Sequence, residues 1–512
     1  MRPAGFLFEV QAMNYAPFMN DIVNLSVIKY GLGEITSYCP TGTTIGEWEY
    51  SFHHLFNGTL DGSGRPHYGG YPTPPATRQE ALAVIENYLV NYLMNESSRP
   101  WYSFNGHYPY HHYAGEWGFD SLGSEIGENI NGYQQSIAFN RGAARQYGVP
   151  WFIDVSAWHG AGITDYSTTQ PWGVYSGPDN GHSLSLYRRT YFMTYMAGAG
   201  ALIAEAGGVN FFMEELDGDN CFVPSPLGLV GQVLYNFTLR HPDPGVPYTP
   251  FGLLLDFYHG TYFGGVGPML AFEAFPYTPA DYMTWNWLDL FFPGSWDEID
   301  EVGTLVNSPW GDSCDVILQD ANASVLSSYP VLIPTGGIAF TSAEADRLVD
   351  YVNGGGVLVL NRAYTRQLPA ELASGMDATC ASSRKVGNGS VIVYGPDFQP
   401  DPIGKKIVGD LACVLLPFEV QGDVEYLINR RNSSWVITLI NNNGVTKAQH
   451  DPPMIDASKE QNVTIRYRLG AVSAITSWIS DIATSSIPGS NGTSVVVNLP
   501  PGGIEVLEFT SG

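Results

Sequence analysis

Between residues 79 and 208 one pattern repeats: a short apolar run, a polar residue near its end, then a helical stretch. A helix over 79–93 precedes PWYSFNG (100–106). A short strand at 121–126 leads into a helix over 130–147, ended by Gly148. VPWFIDV (149–155) is followed by a helix over 183–197 and then by ALIAEAG (201–207). Apolar strands alternating with helices specify a parallel sheet with crossover helices, because parallel neighbours need a long return connection. In a (β/α)8 barrel the C-terminal strand ends carry the active site. Glu125, Asp154 and Glu205 fall at such ends.

The pattern breaks at His241-Pro-Asp-Pro-Gly-Val-Pro, a proline-dense connector typical of a domain boundary. Beyond it, FGLLLDF, CDVILQD, PVLIP, GGVLVLN and SVIVYG are continuous apolar runs, as in strands buried on both faces. Helices are expected at 342–353 and 404–416. From residue 419 the runs alternate instead, in VEYLINR, SWVITLINN, NVTIRYRL, TSVVVNL and GIEVLEF, which is the pattern of a small antiparallel β-sandwich. The expected domains are therefore 1–242, 243–418 and 419–512. The apolar stretch 193–213 is interrupted by Glu205 and glycines and reads as a helix end plus a strand, not a membrane span.

Charge narrows the partners. With 23 Lys+Arg against 50 Asp+Glu the net charge is −27, which repels nucleic-acid backbones and anionic lipid. Lys29 is the only lysine before Lys385, so Schiff-base and phosphate-loop chemistry lack their residue across most of the chain. No GxGxxG, phosphate loop, GxSxG or CxxC occurs, and no cofactor is implied. Asn-x-Ser/Thr sequons stand at Asn24, Asn57, Asn95, Asn236, Asn322, Asn388, Asn432, Asn462 and Asn491. Composition alone gives roughly four, so the excess favours a glycosylated, secreted chain. Met1-Arg-Pro-Ala leads straight into the strand-like GFLFEV (5–10) with no signal-peptide pattern, so the expectation is that either a signal was removed or the N-terminus is truncated.

The densest chemistry lies in PWYSFNGHYPYHHYAGEWGFDSLGSEIGEN (100–129). Sugar rings stack their C–H faces on aromatic faces, and their hydroxyls need imidazole, amide and carboxylate partners. Trp101, His107, His111, His112, Trp117, Asn129 and Trp158 are the candidate substrate contacts. The bland alternative is aromatic core packing with satisfied histidines. The spacing HxxxHH on a Tyr-rich loop is not that of a zinc helix, and Asp217-Gly-Asp219-Asn220 lacks the later glutamate of a calcium loop, so no metal site is expected. Glycoside hydrolysis needs two carboxyls across one cleft. Five carboxylates are candidates: Glu34, Glu125, Glu128, Asp154 and Glu205. Capping, an arginine partner (Arg141, Arg145, Arg188 or Arg189) or plain exposure is the alternative for each.

The order barrel, flavodoxin-like α/β domain, β-sandwich resembles the three-domain β-galactosidases of glycoside hydrolase family 42 in clan A. Its best local piece runs from Ser183 through Gly208, where MAGAGALIAEAG resembles the last barrel helix and strand before the second domain. Counting back makes 149–155 the seventh barrel strand, 121–126 the sixth, PWYSFNG the fifth and the segment at Glu34 the fourth. The clan carries its acid/base on the fourth strand and its nucleophile on the seventh, which the resemblance places at Glu34 and Asp154. Here Gly33-Glu34 replaces the clan's Asn-Glu, and Asp replaces its Glu nucleophile. By this count the first three strands precede Met1, or the count is off by a strand. The resemblance implies a glycosidase acting on a poly- or oligosaccharide, with the outer domains supporting the barrel or homo-oligomerisation. A non-catalytic carbohydrate-binding protein on the same scaffold is the alternative.

Overall fold

A computed structural model describes residues 7–10, 17–32, 42–46, 75–87, 89–90, 101–106, 108–126, 132–156, 158–160, 162–166, 176–205, 207–259, 275, 277–295, 301–373, 382–395, 402–485, 487–489 and 492–511. The first sheet is built from β1 (Leu7–Val10), β2 (Gly42–Gly46), β3 (Trp101–Gly106), β4 (Ser121–Ile126), β5 (Trp151–Val155) and β6 (Ala201–Ala204). Its spatial order is β1-β6-β5-β4-β3-β2, and every pairing is parallel. The first strand thus lies beside the last, the wrap a barrel takes. Among the described residues no β1–β2 pairing closes the ring. The strand beside PWYSFNG is Gly42–Gly46. The count had put the segment at Glu34 in that place; Glu34 itself lies outside the described residues.

Helices α1 (Pro17–Tyr30), α2 (Arg78–Glu86), α3 (Tyr110–Glu116), α4 (Tyr133–Tyr147), α5 (Leu184–Met196) and α6 (Pro226–Arg240) accompany this sheet. Local chemistry sets their ends: Ser183 caps α5 by accepting from Leu186 N–H, Ser225 caps α6 by accepting from Gly228 N–H, and left-handed Gly148 stops α4. The His-containing stretch expected as a loop is helix α3. Lone Lys29 ends α1 in a pair with Asp217 and Asp219, at 2.5 and 2.7 Å, so the acidic turn is neutralised locally.

The second sheet holds β7 (Phe251–Leu255), β8 (Cys314–Leu318), β9 (Val331–Pro334), β10 (Val357–Asn361), β11 (Ser382–Val386) and β12 (Gly389–Tyr394). Its order is β8-β7-β9-β10-β12-β11, parallel except for the β11–β12 hairpin at one edge. The parallel part is the 2-1-3-4-5 order of flavodoxin-type sheets. Helices α7 (Pro279–Phe291), α8 (Ser342–Asn353) and α9 (Ile403–Leu415) accompany it, and α8 starts in a capping box between Thr341 and Glu344.

The C-terminal part is antiparallel. One sheet pairs Glu425–Arg430, Ser434–Ile440, Ile504–Ser511 and Val472–Ser477 with short edge strands; the other pairs Phe418–Gln421, Gln461–Tyr467, Gly492–Leu499 and Ile487–Gly489. Phe418 and Tyr467 of the second reach Phe509 of the first at ring-centroid distances of 4.9 and 5.8 Å, joining the sheets face to face.

The first two sheets are joined through α4. Arg141, 2 % exposed, bonds Asp312 at 2.5 and 2.8 Å and Asp315 at 2.7 Å, while Arg145 reaches Asp315 and the Pro247 carbonyl. Two of the arginines proposed as partners for the strand-end carboxylates, Arg141 and Arg145, are engaged here instead. Arg189, for its part, is directed at Asn442.

Candidate active site

Alternation along the strands sorts the first sheet into two faces. Leu122, Ser124 and Ile126 point toward the helices: Ser124 Oγ meets His111 Nε2 at 2.9 Å and accepts from Asn140 Nδ2 at 3.0 Å. Ser121, Gly123 and Glu125 therefore face the other way, into the concave side. The register continues this face. Asn105 pairs with Gly123, Gly123 with Phe152, Glu125 with Asp154, and Asp154 with Ile203. Glu125 and Asp154 are thus direct neighbours across adjacent strands, whose spacing is about 4.8 Å.

Gly123 is what makes room. A Cβ there would lie 2.2 Å from the Phe152 ring, so the ring lies over Gly123 as a floor. Asn105 Nδ2 donates to Asp154 Oδ2 at 3.1 Å from two strands away. Glu125 is 2 % exposed and Asp154 half-buried, which gives the two carboxyls different surroundings. Glu205 follows β6, and its N–H donates to the Val155 carbonyl at 3.1 Å, so the strand pairing carries on to it. It sits two residues beyond Ile203 on the same face, about 7 Å further along the strand direction than Asp154. Asn210 Nδ2 fixes its carbonyl at 2.8 Å.

The substrate contacts expected from sequence divide. Trp158 opens a small three-stranded excursion beyond the C-terminal end of β5 and is half-exposed there, at the same end as the carboxylates. Trp101 begins β3, roughly 13 Å of strand from Asn105, at the opposite end. His111 and His112 are corrections. His111 is fully buried behind the sheet, bonded to the Tyr108 and Gly123 carbonyls at 2.8 and 3.0 Å. His112 donates across to the Val316 carbonyl of β8 at 2.9 Å, and burial pulls its pKa down to about 4. Both imidazoles are packing groups, the bland reading given above. Trp117 packs 5.9 Å from Tyr113, whose ring stacks on Phe257 of the second unit, so it serves the helix layer rather than the concave face. Glu34, Glu128, His107 and Asn129 lie outside the described residues. Asn105 escaped the sequence reading, although an amide ending an apolar strand just before glycine was its visible signal. Among the described residues no three His, Cys, Asp or Glu side chains gather as a metal site, and no helix is long and apolar enough to cross a membrane.

The fold is similar to that of solved GH42 β-galactosidases, the family whose domain order the sequence resembles. Gan42B, a GH42 β-galactosidase from G. stearothermophilus, superposes with a TM-score of 0.52 at 10% identity over 90% of this chain and 73% of its own. A β-galactosidase from Bacillus circulans sp. alkalophilus covers 98% of this chain and 78% of its own, at a TM-score of 0.49 and 11% identity. One from the haloarchaeon Halorubrum lacusprofundi covers 91% and 73%, at 0.48 and 13%. No protein-family model and no curated protein sequence matches the chain. At these identities the likeness is one of fold.

Proposed function

We propose that this chain is a glycoside hydrolase whose two carboxyls are Glu125 and Asp154. The observation that carries the reading is their position: direct register partners on the concave face at the C-terminal strand ends, the end where barrel enzymes do their chemistry. Glycosidic cleavage asks one carboxyl to protonate the leaving oxygen and the other to attack the sugar or activate water. Buried Glu125 suits the acid role. Asp154, held by the Asn105 amide, suits the nucleophile or base. Neighbouring strands allow a separation near the ~5–5.5 Å of retaining enzymes. Trp158 supplies an aromatic face at the rim, and Glu205, one layer out, contacts the sugar rather than the reacting bond.

The remaining assignments belong to the same proposal. Residues 1–242 form a (β/α)8-type catalytic domain, 243–418 a flavodoxin-like domain and 419–512 a supporting sandwich in a secreted, glycosylated protein. Of the sequon asparagines described, Asn236, Asn322, Asn388, Asn432 and Asn462 are exposed and Asn24 is half-buried, so their side chains are open to modification.

The test is hydrolysis of a panel of nitrophenyl glycosides and oligosaccharides by wild type, Glu125→Gln, Asp154→Asn and Glu205→Gln. The first two variants are expected to lose at least ~10³-fold in kcat with near-ultraviolet circular dichroism unchanged, and Glu205→Gln far less. Sugar binding without turnover by the wild type would make the chain a carbohydrate-binding protein instead.

A further inference from the structure

The excursion that carries Trp158 is not held by the first sheet alone. Between the end of β5 and the cap of α5 its described residues are 156, 158–160, 162–166 and 176–183. Among the described residues, Trp158–His159 pairs with Gly162–Thr164, which pairs with Ser176–Gly177. The support comes from the sandwich, more than 260 residues further along the chain.

One loop of the sandwich, residues 441–450, meets the excursion at successive points. Gln449 Nε2 donates to the His159 carbonyl at 2.6 Å. Lys447 Nζ, 2 % exposed, donates to the Asp179 carbonyl at 2.7 Å. His450 Nδ1 lies 2.8 Å from Asn180 Oδ1, and His450 holds a positive φ of 69° to reach it. Asn442 receives Arg189 Nη1 of α5 at 2.6 Å, tying the helix at the end of the excursion to the same loop. The excursion is shaped for this contact. Gly160 has φ +60, and a Cβ there would stand 2.5 Å from Gln449 Nε2. The Gln449 and Lys447 bonds end on backbone carbonyls, so they fix the path of the chain rather than one rotamer, and the Gln449 bond falls one residue from Trp158.

The geometry points to Gln449 and Lys447 as positioning residues for the sugar subsite at Trp158, with the sandwich loop as the outer wall of the cleft. This rests on the concave face being a carbohydrate site. Neither residue touches the carboxyls, so its loss should loosen substrate binding more than it slows the bond-breaking step.

The experiment pairs hydrogen–deuterium exchange with kinetics on the full chain for Gln449→Ala and Lys447→Met. In each variant, peptides containing residues 158–160 and 177–180 should exchange about tenfold faster, while those from β3–β5 stay unchanged. KM for a substrate turned over by the wild type should rise about three- to tenfold, with kcat within about twofold. Unchanged exchange in both variants overturns the clamp. Faster exchange with KM unchanged, or with kcat falling and KM fixed, overturns the subsite role. Absence of any glycoside turnover by the wild type defeats the parent reading, and the exchange result still decides whether the sandwich holds the excursion.

Discussion

Among the described residues two six-stranded sheets are parallel, the first throughout and the second apart from its edge hairpin, and they differ in what faces their interiors. The strands β7, β8, β9 and β10 carry Leu, Ile and Val on both faces, and nearly every residue is buried. The first sheet places Ser103, Asn105, Ser121, Glu125 and Asp154 on its concave face. Burying polar groups costs stability unless they are partnered, and in the second sheet the buried Asp315 is paired with Arg141 and Arg145. The second sheet is a frame. The first keeps a row of polar groups on one face, the groups to which the proposed function assigns the chemistry.

The two sheets are joined at α4, and the largest expected effect breaks that joint. Arg141→Met leaves Asp312 and Asp315 buried with their main cation gone, a loss of about 3–5 kcal/mol. Urea unfolding should show a lowered midpoint and separation of the two units into distinct transitions. A loss below about 1 kcal/mol would mean that the sheets are held together elsewhere.

The same junction should respond to acid. His112 ordinarily titrates near 6.5 but is held at about 4 by burial against β8. The unfolded chain takes up its proton below 6.5 while the folded chain stays neutral, so stability falls as pH drops from 6.5 toward 4, by up to about 3 kcal/mol. His112→Gln keeps a donor for the Val316 carbonyl and should lose less between pH 7 and 4.5. Equal losses in both proteins would remove His112 from the account.

The smallest effect sharpens the contrast most. Asn105→Ala removes the donor to Asp154 and should lower kcat/KM about 10- to 100-fold with little change in stability. Asp256→Asn, at the C-terminal end of β7 in the frame, should leave turnover unchanged. Equal kinetic effects of the two would erase the distinction between the sheets.

Most of the frame was legible in the sequence, because strand periodicity and helix caps are local signals. Thr341 and Glu344 mark the start of α8, and the helix expected over 342–353 is Ser342–Asn353. The strands of the sandwich announced themselves by alternation in the same way. The proposed site was only half legible. Glu125 and Asp154 are visible as polar residues ending apolar strands, but their pairing depends on register between strands, which no local signal carries. The histidines misled for a related reason. A His in an aromatic-rich segment looks the same whether it meets a sugar or a carbonyl, and it is the Gly123 and Val316 carbonyls, supplied by other elements, that settle the matter. The α3 helix was hidden by its tyrosines and glycine, poor helix formers that tertiary packing of Tyr110 and Tyr113 overrides.

The most direct test of the central claim is azide rescue of Asp154→Gly. With Glu125 intact and the carboxylate at 154 gone, a small anion can occupy its place. The account predicts a variant without measurable hydrolysis that regains turnover of an activated aryl glycoside in azide and forms a glycosyl azide. Wild-type turnover by Asp154→Gly would contradict it, as would rescue that appears in a glycine variant at Glu205 and not at Asp154.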